Sequence, residues 1–351
     1  MGCGAGAILL HLARGAAIAV GTDINPRAGA FLVLNARLNG FDNVEFRCGD
    51  LFAPVAGERF DLLVSQPPFM PTPPAASPAV FRDGGARGDG LWRKVVAGAP
   101  DHLTEGGVAV IVGEIGGGIS GHLSQAGGEP RDGCQSLCLI GQPVSAEEYA
   151  IRASIGALKH GYARYRGDVR MLLRHLRACG LDLLAPLVLT IRRTAQAGGW
   201  TLRSDKDVWE DFDLDHALRH IDARLALEES ASTTSFVAAA DLAAATLIRY
   251  RSVGAGDGRD ESAHLHLPRG ALRRGLEMPL AEWDALEALG GGIELRHEGD
   301  WRPVDAAGRG EPGAAVAGAM TRLFEAGLLV VQERAPLAPA PAAVSAGQGG
   351  D

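Results

Sequence analysis

The first part of the chain alternates between short apolar runs and longer segments in which apolar side chains recur every three or four positions. The short runs predict strands, and the periodic segments predict helices. The predicted strands span 17–22, 43–47, 60–65 and 107–113, and the predicted helices span 7–14, 26–39 and 90–103. This alternation is typical of a parallel sheet with crossover helices, so we predict a doubly wound, mostly parallel, Rossmann-like α/β sheet.

The pattern becomes less regular after this sheet. The segment 115–133 is rich in glycine, which favours a loop over one edge of the sheet. The apolar runs at 135–140 and 183–193 are expected to supply the last strands, including an antiparallel edge strand. A helix near 168–179 is predicted to lead into the second run.

The composition changes after residue 204, and a chain of 351 residues commonly forms two domains. We predict the α/β domain at 1–205 and a smaller, mainly helical α+β accessory domain at 206–333, with a winged-helix-like module as one interpretation. An alanine-rich helix is expected at 238–250 within the second domain. The segment 334–351 is rich in Ala, Pro and Gly, which is typical of a disordered tail.

Composition indicates a cytoplasmic protein. No apolar run is long enough for a membrane span, so no membrane partner is expected. The five cysteines are irregularly spaced, which favours reduced thiols, and neither they nor the histidines form a pattern that predicts a metal site. The net charge of −8 argues mildly against nucleic acid as the main partner. Residues 152–177 are nevertheless rich in arginine; a solvated helix face is the ordinary interpretation, and a phosphate-contacting strip is the alternative.

The candidate chemistry begins where the run Leu62–Val64 ends. Gln66, Pro67, Pro68 and Phe69 follow it directly. Two prolines remove two backbone donors, so the strand ends there and its tip is rigid. A carboxamide oxygen and a free backbone carbonyl can each accept one hydrogen from a planar NH₂ group, and an aromatic ring can stack on that group.

Three features upstream add to this strand tip. The first is a glycine turn, Gly2-Cys3-Gly4-Ala5-Gly6, that leads into a helix and allows a ligand to approach the backbone. The second is Asp23, an acid after an apolar strand at the spacing that suits a ribose diol. The third is Asp50, which can accept from an adenine amino group. The alternatives are a helix N-cap for Asp23 and a turn residue for Asp50.

The sequence resembles the class I S-adenosylmethionine-dependent methyltransferases with an Asn-Pro-Pro-Tyr/Phe motif. The features that carry this resemblance are the glycine turn, the two acids and the carboxamide-Pro-Pro-aromatic segment, each of which lies beside a strand end. That branch includes N5-glutamine, rRNA guanine-N2 and amino-methylating DNA methyltransferases. The resemblance covers roughly residues 1–115. It implies that S-adenosylmethionine is the cofactor and is held by Gly2, Cys3, Gly4, Gly6, Asp23 and Asp50. It implies that Gln66, Pro67, Pro68 and Phe69 form the catalytic segment.

The resemblance also implies a methyl acceptor with a planar nitrogen. A protein glutamine amide is the first expectation, a nucleobase amino group in RNA or DNA is the second, and a natural product is the third. Two alternatives from other classes stay open. The glycine turn also fits a nicotinamide-dependent oxidoreductase, although Asp50 and Gln66 then have no role, and the chain could be a non-catalytic, methyltransferase-like binding protein.

Two departures from the family pattern affect these expectations. Gln66 stands where the family usually has Asn, and the added methylene moves the acceptor oxygen by about a bond length; misplacements of about 1 Å can lower a rate on the order of a hundredfold. The family also has a central strand before the glycine turn, whereas Met1 directly precedes Gly2 here. We therefore expect a truncated start and a sheet that lacks its first strand.

Overall fold

The protein is described from a computed structural model. The structure describes residues 1–74, 76, 81–117, 132–195, 199–204, 217–223, 234–238, 246–253, 259–266, 275–288, 294–297, 301–303, 314–325 and 329–331. The chain divides into two compact units, Met1–Ala217 and Leu218–Asp351. The domain boundaries expected from composition stay a prediction.

The first unit contains the helices and strands that the amino-terminal pattern predicts. Its strands are β1 (Ala19–Asp23), β2 (Val44–Cys48), β3 (Phe60–Ser65), β4 (Leu103–Gly117), β5 (Cys134–Ile140), β6 (Val144–Ser145), β7 (Leu183–Arg193) and β8 (Gly199–Ser204). Its helices are α1 (Ala7–Ala13), α2 (Pro26–Leu38), α3 (Gly90–Gly98), α4 (Ala146–Ser154) and α5 (Tyr162–Ala178). Short 3₁₀ helices lie at Ala53–Val55, Ala99–His102 and Ile155–His160.

The strands of this unit form two sheets. Strands β1 and β2 pair in parallel, and the larger sheet has the order β3-β4-β7-β5-β8 with β6 paired to β7. Strand β7 runs antiparallel to β4 and β5, whereas the pairs β3–β4 and β5–β8 are parallel. The predicted α/β sheet with an antiparallel strand is therefore confirmed, and β7 lies inside the sheet rather than at its edge.

Burial explains why the larger sheet is stable. Strand β5 is buried from Cys134 to Leu139, and the apolar side chains of β4 pack into the same core with Trp92 from α3. Strand β4 is longer than predicted because it pairs with β7 as far as Gly117. Helix α3 is shorter than predicted because Pro100, which cannot donate to a helical hydrogen bond, lies in the first positions of the 3₁₀ turn Ala99–His102.

The two sheets are linked by the first residues of the chain rather than by a shared strand. The Met1 amine donates to the Val64 carbonyl of β3 at 2.9 Å. The Cys3 amide donates to the Thr22 carbonyl of β1 at 2.9 Å. Strands β1 and β3 are not paired with each other.

The second unit is more β-rich than the sequence pattern suggested. In its described residues a three-stranded sheet has the order β10 (Thr246–Val253), β11 (Arg259–His266), β12 (Gly275–Pro279). A four-stranded sheet combines β14 (Trp301–Pro303), β13 (Glu294–His297), β9 (Thr234–Ala238) and β15 (Leu329–Val331). Helices span Leu280–Ala288 and Ala314–Glu325.

Among the described residues of the second unit, strands outnumber helices, and the helix expected at 238–250 was wrong where 246–253 forms a strand. The sequence at 246–253 contains Thr, Ile, Tyr and Val, which favour extended backbone, and it pairs with β11 along its whole length. The predicted tail at 334–351 lies outside the described residues. In the described part of the chain, every helix is too short or too polar to cross a bilayer.

Candidate functional site

A cavity of about 530 Å³ lies where β1, β2 and β3 end. Its volume falls in the range of small-molecule sites. The sequence-predicted residues that line it are Gly2, Gly4, Asp23, Asp50, Gln66, Pro67 and Pro68. Cys3, Gly6 and Phe69 were predicted with them but are not among the lining residues. The structure thus brings together seven of the ten predicted site residues around one space.

The glycine turn is held against β1 by Asp23. One carboxylate oxygen of Asp23 accepts from the Gly4 amide at 2.9 Å, and the other accepts from the Asn25 amide at 2.9 Å. The alternative of Asp23 as a helix N-cap is wrong, because Asn25 caps α2 by accepting from the Arg27 amide at 3.1 Å. A carboxylate has about four acceptor sites, so Asp23 can still accept from a ligand.

Cys3 and Gly6 shape the turn without lining the cavity. Gly6 has a φ of 93°, which residues with a side chain rarely adopt, and a Cβ there would lie 2.3 Å from the end of the Leu32 side chain, so glycine favours this close packing of the turn on α2. The Cys3 thiol is half-buried, and burial together with the negative charge of Asp23 raises its pKa to about 11. The thiol is therefore protonated and structural.

Asp50 and its neighbour Leu51, which follow β2, form another wall of the cavity. Asp50 is exposed, and its backbone carbonyl accepts from the Ala53 amide at 3.0 Å. Leu51 has a φ of 45°, which is rare for a residue with a branched side chain and marks stored strain. In this conformation Leu51 lines the cavity. Ile24, which follows β1, lines it as well, so an apolar residue accompanies each of the two acids.

The proline segment, Gln66 to Phe69, forms a further wall of the cavity with Gln66, Pro67 and Pro68. Strand β3 ends at the buried Ser65, Pro67 is also buried, and Gln66 between them is exposed. Within the described residues, neither the Gln66 carboxamide nor the Pro67 carbonyl has a hydrogen-bond partner. Two acceptor groups at one rigid strand tip are thus open to a ligand.

The loop after the proline segment folds back onto it. The Met70 amide donates to the Arg82 carbonyl at 3.1 Å, and the Gly84 amide donates to the Met70 carbonyl at 3.0 Å. Gly88 has a φ of 83°, and a Cβ there would lie 2.3 Å from the Phe69 carbonyl oxygen. Two aromatic residues line the cavity, Phe31 of α2 and Phe81 of this loop, and Phe81 is 77% exposed.

Glu114, near the end of β4, lies on the same edge of the sheet. Its carboxylate accepts from the Tyr149 hydroxyl of α4 at 2.9 Å. Burial raises the pKa of Glu114, and the hydrogen bond from Tyr149 acts in the opposite direction. Glu114 is therefore a partly buried, hydrogen-bonded carboxyl rather than a fully solvated acid.

Sequence reasoning missed Leu51, Ile24, Phe31, Phe81 and the pairing of Glu114 with Tyr149. Leu51 and Ile24 directly follow the two predicted acids, so their position next to a strand end was the available signal. Phe81 and Tyr149 are remote in sequence from the residues they accompany, and no local pattern identifies them.

Comparison with known proteins finds similarity to methyltransferases in the amino-terminal part. Residues 1–129 match the family model "Methyltransferase small domain". The release factor glutamine methyltransferase of Geobacter sulfurreducens is 36% identical over 118 residues, which are 30% of this chain and 41% of that protein. The ribosomal RNA small subunit methyltransferase C of Alcanivorax borkumensis is 34% identical over 112 residues, 32% of this chain and 30% of that protein. The chain thus spans less than half the length of these relatives.

A solved structure of an rRNA methylase from Streptococcus thermophilus aligns with a TM-score of 0.32 and 12% identity, over 55% of this chain and 84% of that one. The family match ends at residue 129, and it contains the glycine turn, both acids and the proline segment. Residues 1–129 of this chain are therefore similar to the methyltransferase small domain.

Proposed function

We propose that the protein is an S-adenosylmethionine-dependent methyltransferase that methylates a planar nitrogen. The observation that carries this proposal is the single cavity onto which Gly4, Asp23, Asp50 and Gln66 all face. A nicotinamide-dependent oxidoreductase explains the glycine turn and Asp23 but gives Asp50 and Gln66 no role. The methyltransferase relatives support the first interpretation.

The residues around the cavity fit the cofactor. Asp23 is fixed by two backbone amides and is expected to accept from the ribose hydroxyls, and Asp50 is expected to accept from the adenine amino group. Ile24 and Leu51 offer apolar surface on either side of a flat base. When bound, S-adenosylmethionine supplies an electrophilic methyl group.

The chain itself would orient the acceptor. The Gln66 carboxamide oxygen and the Pro67 carbonyl each accept one hydrogen of the acceptor NH₂ group, so its lone pair is directed toward the cofactor side of the cavity. Stacking by Phe69 stays a prediction, and Phe81 is a second ring that can cover the acceptor from the loop. Positioning and preorganised acceptors then lower the barrier, and no strong base is required.

The acceptor is proposed to be a protein glutamine amide, with a nucleobase amino group as the second candidate. Both present the same planar NH₂ group, which is what Gln66 and Pro67 are arranged to hold. The first is favoured by the release factor glutamine methyltransferase among the relatives, and the second by the rRNA methyltransferase.

Calorimetric titration tests the cofactor proposal. Titrating the protein with S-adenosylmethionine and, separately, with NAD should give heat of binding with the first only. Asp23→Asn should weaken S-adenosylmethionine binding at least tenfold, whereas Asp42→Asn, an exposed acid outside the cavity, should not. Binding of NAD alone would overturn the proposal.

A second assay addresses the acceptor. The protein is incubated with methyl-labelled S-adenosylmethionine and fractions of a cell lysate, with and without nuclease. Label in protein that survives nuclease supports a glutamine amide, and label lost with nuclease supports a nucleobase. Cofactor binding without label in any fraction would support a non-catalytic binding protein instead.

A further inference from the structure

Helix α5 carries a row of exposed cationic side chains. Tyr162, Arg166, Arg170 and Arg174 follow one another at intervals of four residues, and all four are exposed. Four residues correspond to a rise of about 6 Å along a helix, and each step turns the side-chain direction by about 40°, so neighbours in this series are adjacent and the four residues follow one side of the helix. We call these four residues the arginine ladder.

The ladder is not neutralised by the acids of its own region. Residues 146–178 contain seven Lys and Arg but three Asp and Glu, in a chain whose net charge is −8. All three acids pair with arginines outside the ladder: Glu147 with Arg177, Glu148 with Arg152, and Asp168 with Arg164. Within the described residues, no carboxylate pairs with Arg166, Arg170 or Arg174.

The first ladder positions combine a cation with an aromatic ring. The Arg166 guanidinium lies 5.8 Å from the centre of the Tyr162 ring, which is 66% exposed. An exposed ring beside a guanidinium offers a surface on which a flat base can stack. Arg174 uses its Nε to donate to the Arg170 carbonyl at 3.2 Å, which fixes the side chain and leaves its terminal nitrogens available.

The ladder leads toward the proposed acceptor site. Helices α4 and α5 connect β5 to β7 at the edge where β3 and β4 also end. The carboxyl end of α5 contacts the loop that covers the proline segment: His175 Nε2 lies 2.7 Å from the Ala86 carbonyl oxygen, and Arg87 donates to the Cys179 carbonyl. A partner lying along α5 would therefore reach this loop.

We infer that the arginine ladder docks the sugar–phosphate backbone of a single-stranded nucleic acid. A polynucleotide presents evenly repeated anions, which evenly spaced guanidiniums can match, and guanidinium recognises phosphate through two parallel hydrogen bonds. The stacking surface at Tyr162 suits unpaired bases. This inference rests on the proposed function only where it places the partner next to the acceptor site. A nucleic acid on the ladder corresponds to the second acceptor candidate, and it can also dock there without being the methyl acceptor.

Binding of a labelled oligonucleotide tests the inference. Fluorescence anisotropy is measured with a mixed-sequence, single-stranded 20-nucleotide RNA and with the DNA of the same sequence, over a series of salt concentrations. The ladder variant combines Arg166→Gln, Arg170→Gln and Arg174→Gln. The matched control combines Arg152→Gln, Arg164→Gln and Arg177→Gln, which changes the net charge equally in the same segment.

The ladder variant should bind at least tenfold more weakly, while the control changes affinity less than threefold. Each lost phosphate contact lowers the slope of log affinity against log salt by about 0.7 for single strands, so three lost contacts should lower it by about 2. Tyr162→Ala should weaken binding at least fivefold and Tyr162→Phe should not. Circular dichroism should show equal helix content in all variants. The ratio of the affinities for RNA and DNA shows which of the two sugar–phosphate backbones the ladder binds.

Three outcomes would overturn the inference. One is equal loss in the ladder and control variants, and another is no binding of either oligonucleotide by the unmodified protein. The third is that polyglutamate competes with the labelled oligonucleotide as effectively as unlabelled RNA does, and that its binding is weakened equally by the ladder variant. This result would indicate an acidic polypeptide as the partner. Calorimetry with S-adenosylmethionine is independent of these results. If the unmodified protein binds the oligonucleotide but not S-adenosylmethionine, the proposed function is contradicted and the docking inference is not.

Discussion

The hydroxyl of Tyr149 donates a hydrogen bond of 2.9 Å to the carboxylate of Glu114. The bond joins α4 to the carboxyl end of β4, next to the loop that covers the proline segment. Burial raises the pKa of Tyr149 well above its ordinary value; the charge of Glu114 acts in the same direction, and that of Arg82 opposes it. Tyr149 therefore stays a hydrogen-bond donor at any physiological pH.

Removing this donor should destabilise the protein. Tyr149→Phe leaves the partly buried Glu114 carboxylate without its described partner, and an unsatisfied buried acceptor costs about 1–3 kcal/mol. Urea unfolding should show a loss of this size. Tyr165→Phe, on α5, removes a half-exposed hydroxyl and should change the free energy of unfolding by less than about 0.5 kcal/mol. Equal effects of the two substitutions would mean that the Tyr149 bond is not stabilising.

The pH dependence of stability should report on Glu114. Its pKa is raised in the folded state by burial, so folding favours the protonated carboxyl. Its contribution to stability is therefore full below the ordinary value of 4.5 and is lost as the pH rises from there through the folded pKa. Glu114→Gln stays neutral and can still accept from Tyr149, so the variant should be more stable than the unmodified protein at pH 7 and equal to it near pH 4.

Thermal unfolding measured from pH 4 to pH 8 tests this difference. Glu105→Gln changes an exposed acid on the same strand. The difference in stability between this variant and the unmodified protein should not grow from pH 4 to pH 8. A Glu114→Gln variant that is less stable than the unmodified protein at pH 7 would show that the ionised carboxylate is favourable in the fold.

Close approach of the loop to the proline segment should make Gly88 sensitive to substitution. Gly88→Ala would place a Cβ 2.3 Å from the Phe69 carbonyl oxygen in a backbone with positive φ. Gly57 has a similar φ of 80° but open space around it, so Gly57→Ala is expected to cost only the conformational term of about 1–2 kcal/mol. The Gly88 variant should lose more stability than this and also lose methyl transfer. Equal losses by thermal unfolding would show that the loop can move away from Phe69.

The strand ends that form the cavity could be predicted because each has a local cause. Pro67 and Pro68 cannot continue a strand, and a glycine turn followed by an apolar helix is a contiguous signal. The order of these segments along an α/β chain then places Asp23, Asp50 and Gln66 on one edge of a sheet.

The remaining features depend on residues far apart in sequence. Tyr149 reaches Glu114 across 35 positions, and Phe81 reaches the cavity only because its loop pairs with Met70. The positive φ of Leu51 is imposed by the turn after β2 and has no sequence signature. The helix expected at 238–250 was wrong because the β-branched and aromatic residues that follow the alanines favour the extended backbone of 246–253.

Cys3 should be unreactive despite its position in the glycine turn. With a pKa of about 11, only about one thiol in a thousand is ionised at pH 8, and the thiolate is the reactive form. Iodoacetamide followed by mass spectrometry should show Cys3 modified at least tenfold more slowly than the exposed Cys48. In urea the two rates should become similar. Rapid modification of Cys3 in the folded protein would mean that the turn opens to solvent.

Gln66 should control the rate of methyl transfer without controlling cofactor affinity. Its carboxamide has no hydrogen-bond partner among the described residues, so Gln66→Ala removes an acceptor of the substrate NH₂ group and no structural bond. Loss of positioning should lower kcat about a hundredfold while the Kd for S-adenosylmethionine changes less than twofold. Gln142→Ala removes an exposed carboxamide that does not line the cavity and should leave both constants unchanged. Full activity in Gln66→Ala would remove this side chain from the mechanism, because the Pro67 carbonyl would then suffice to orient the acceptor.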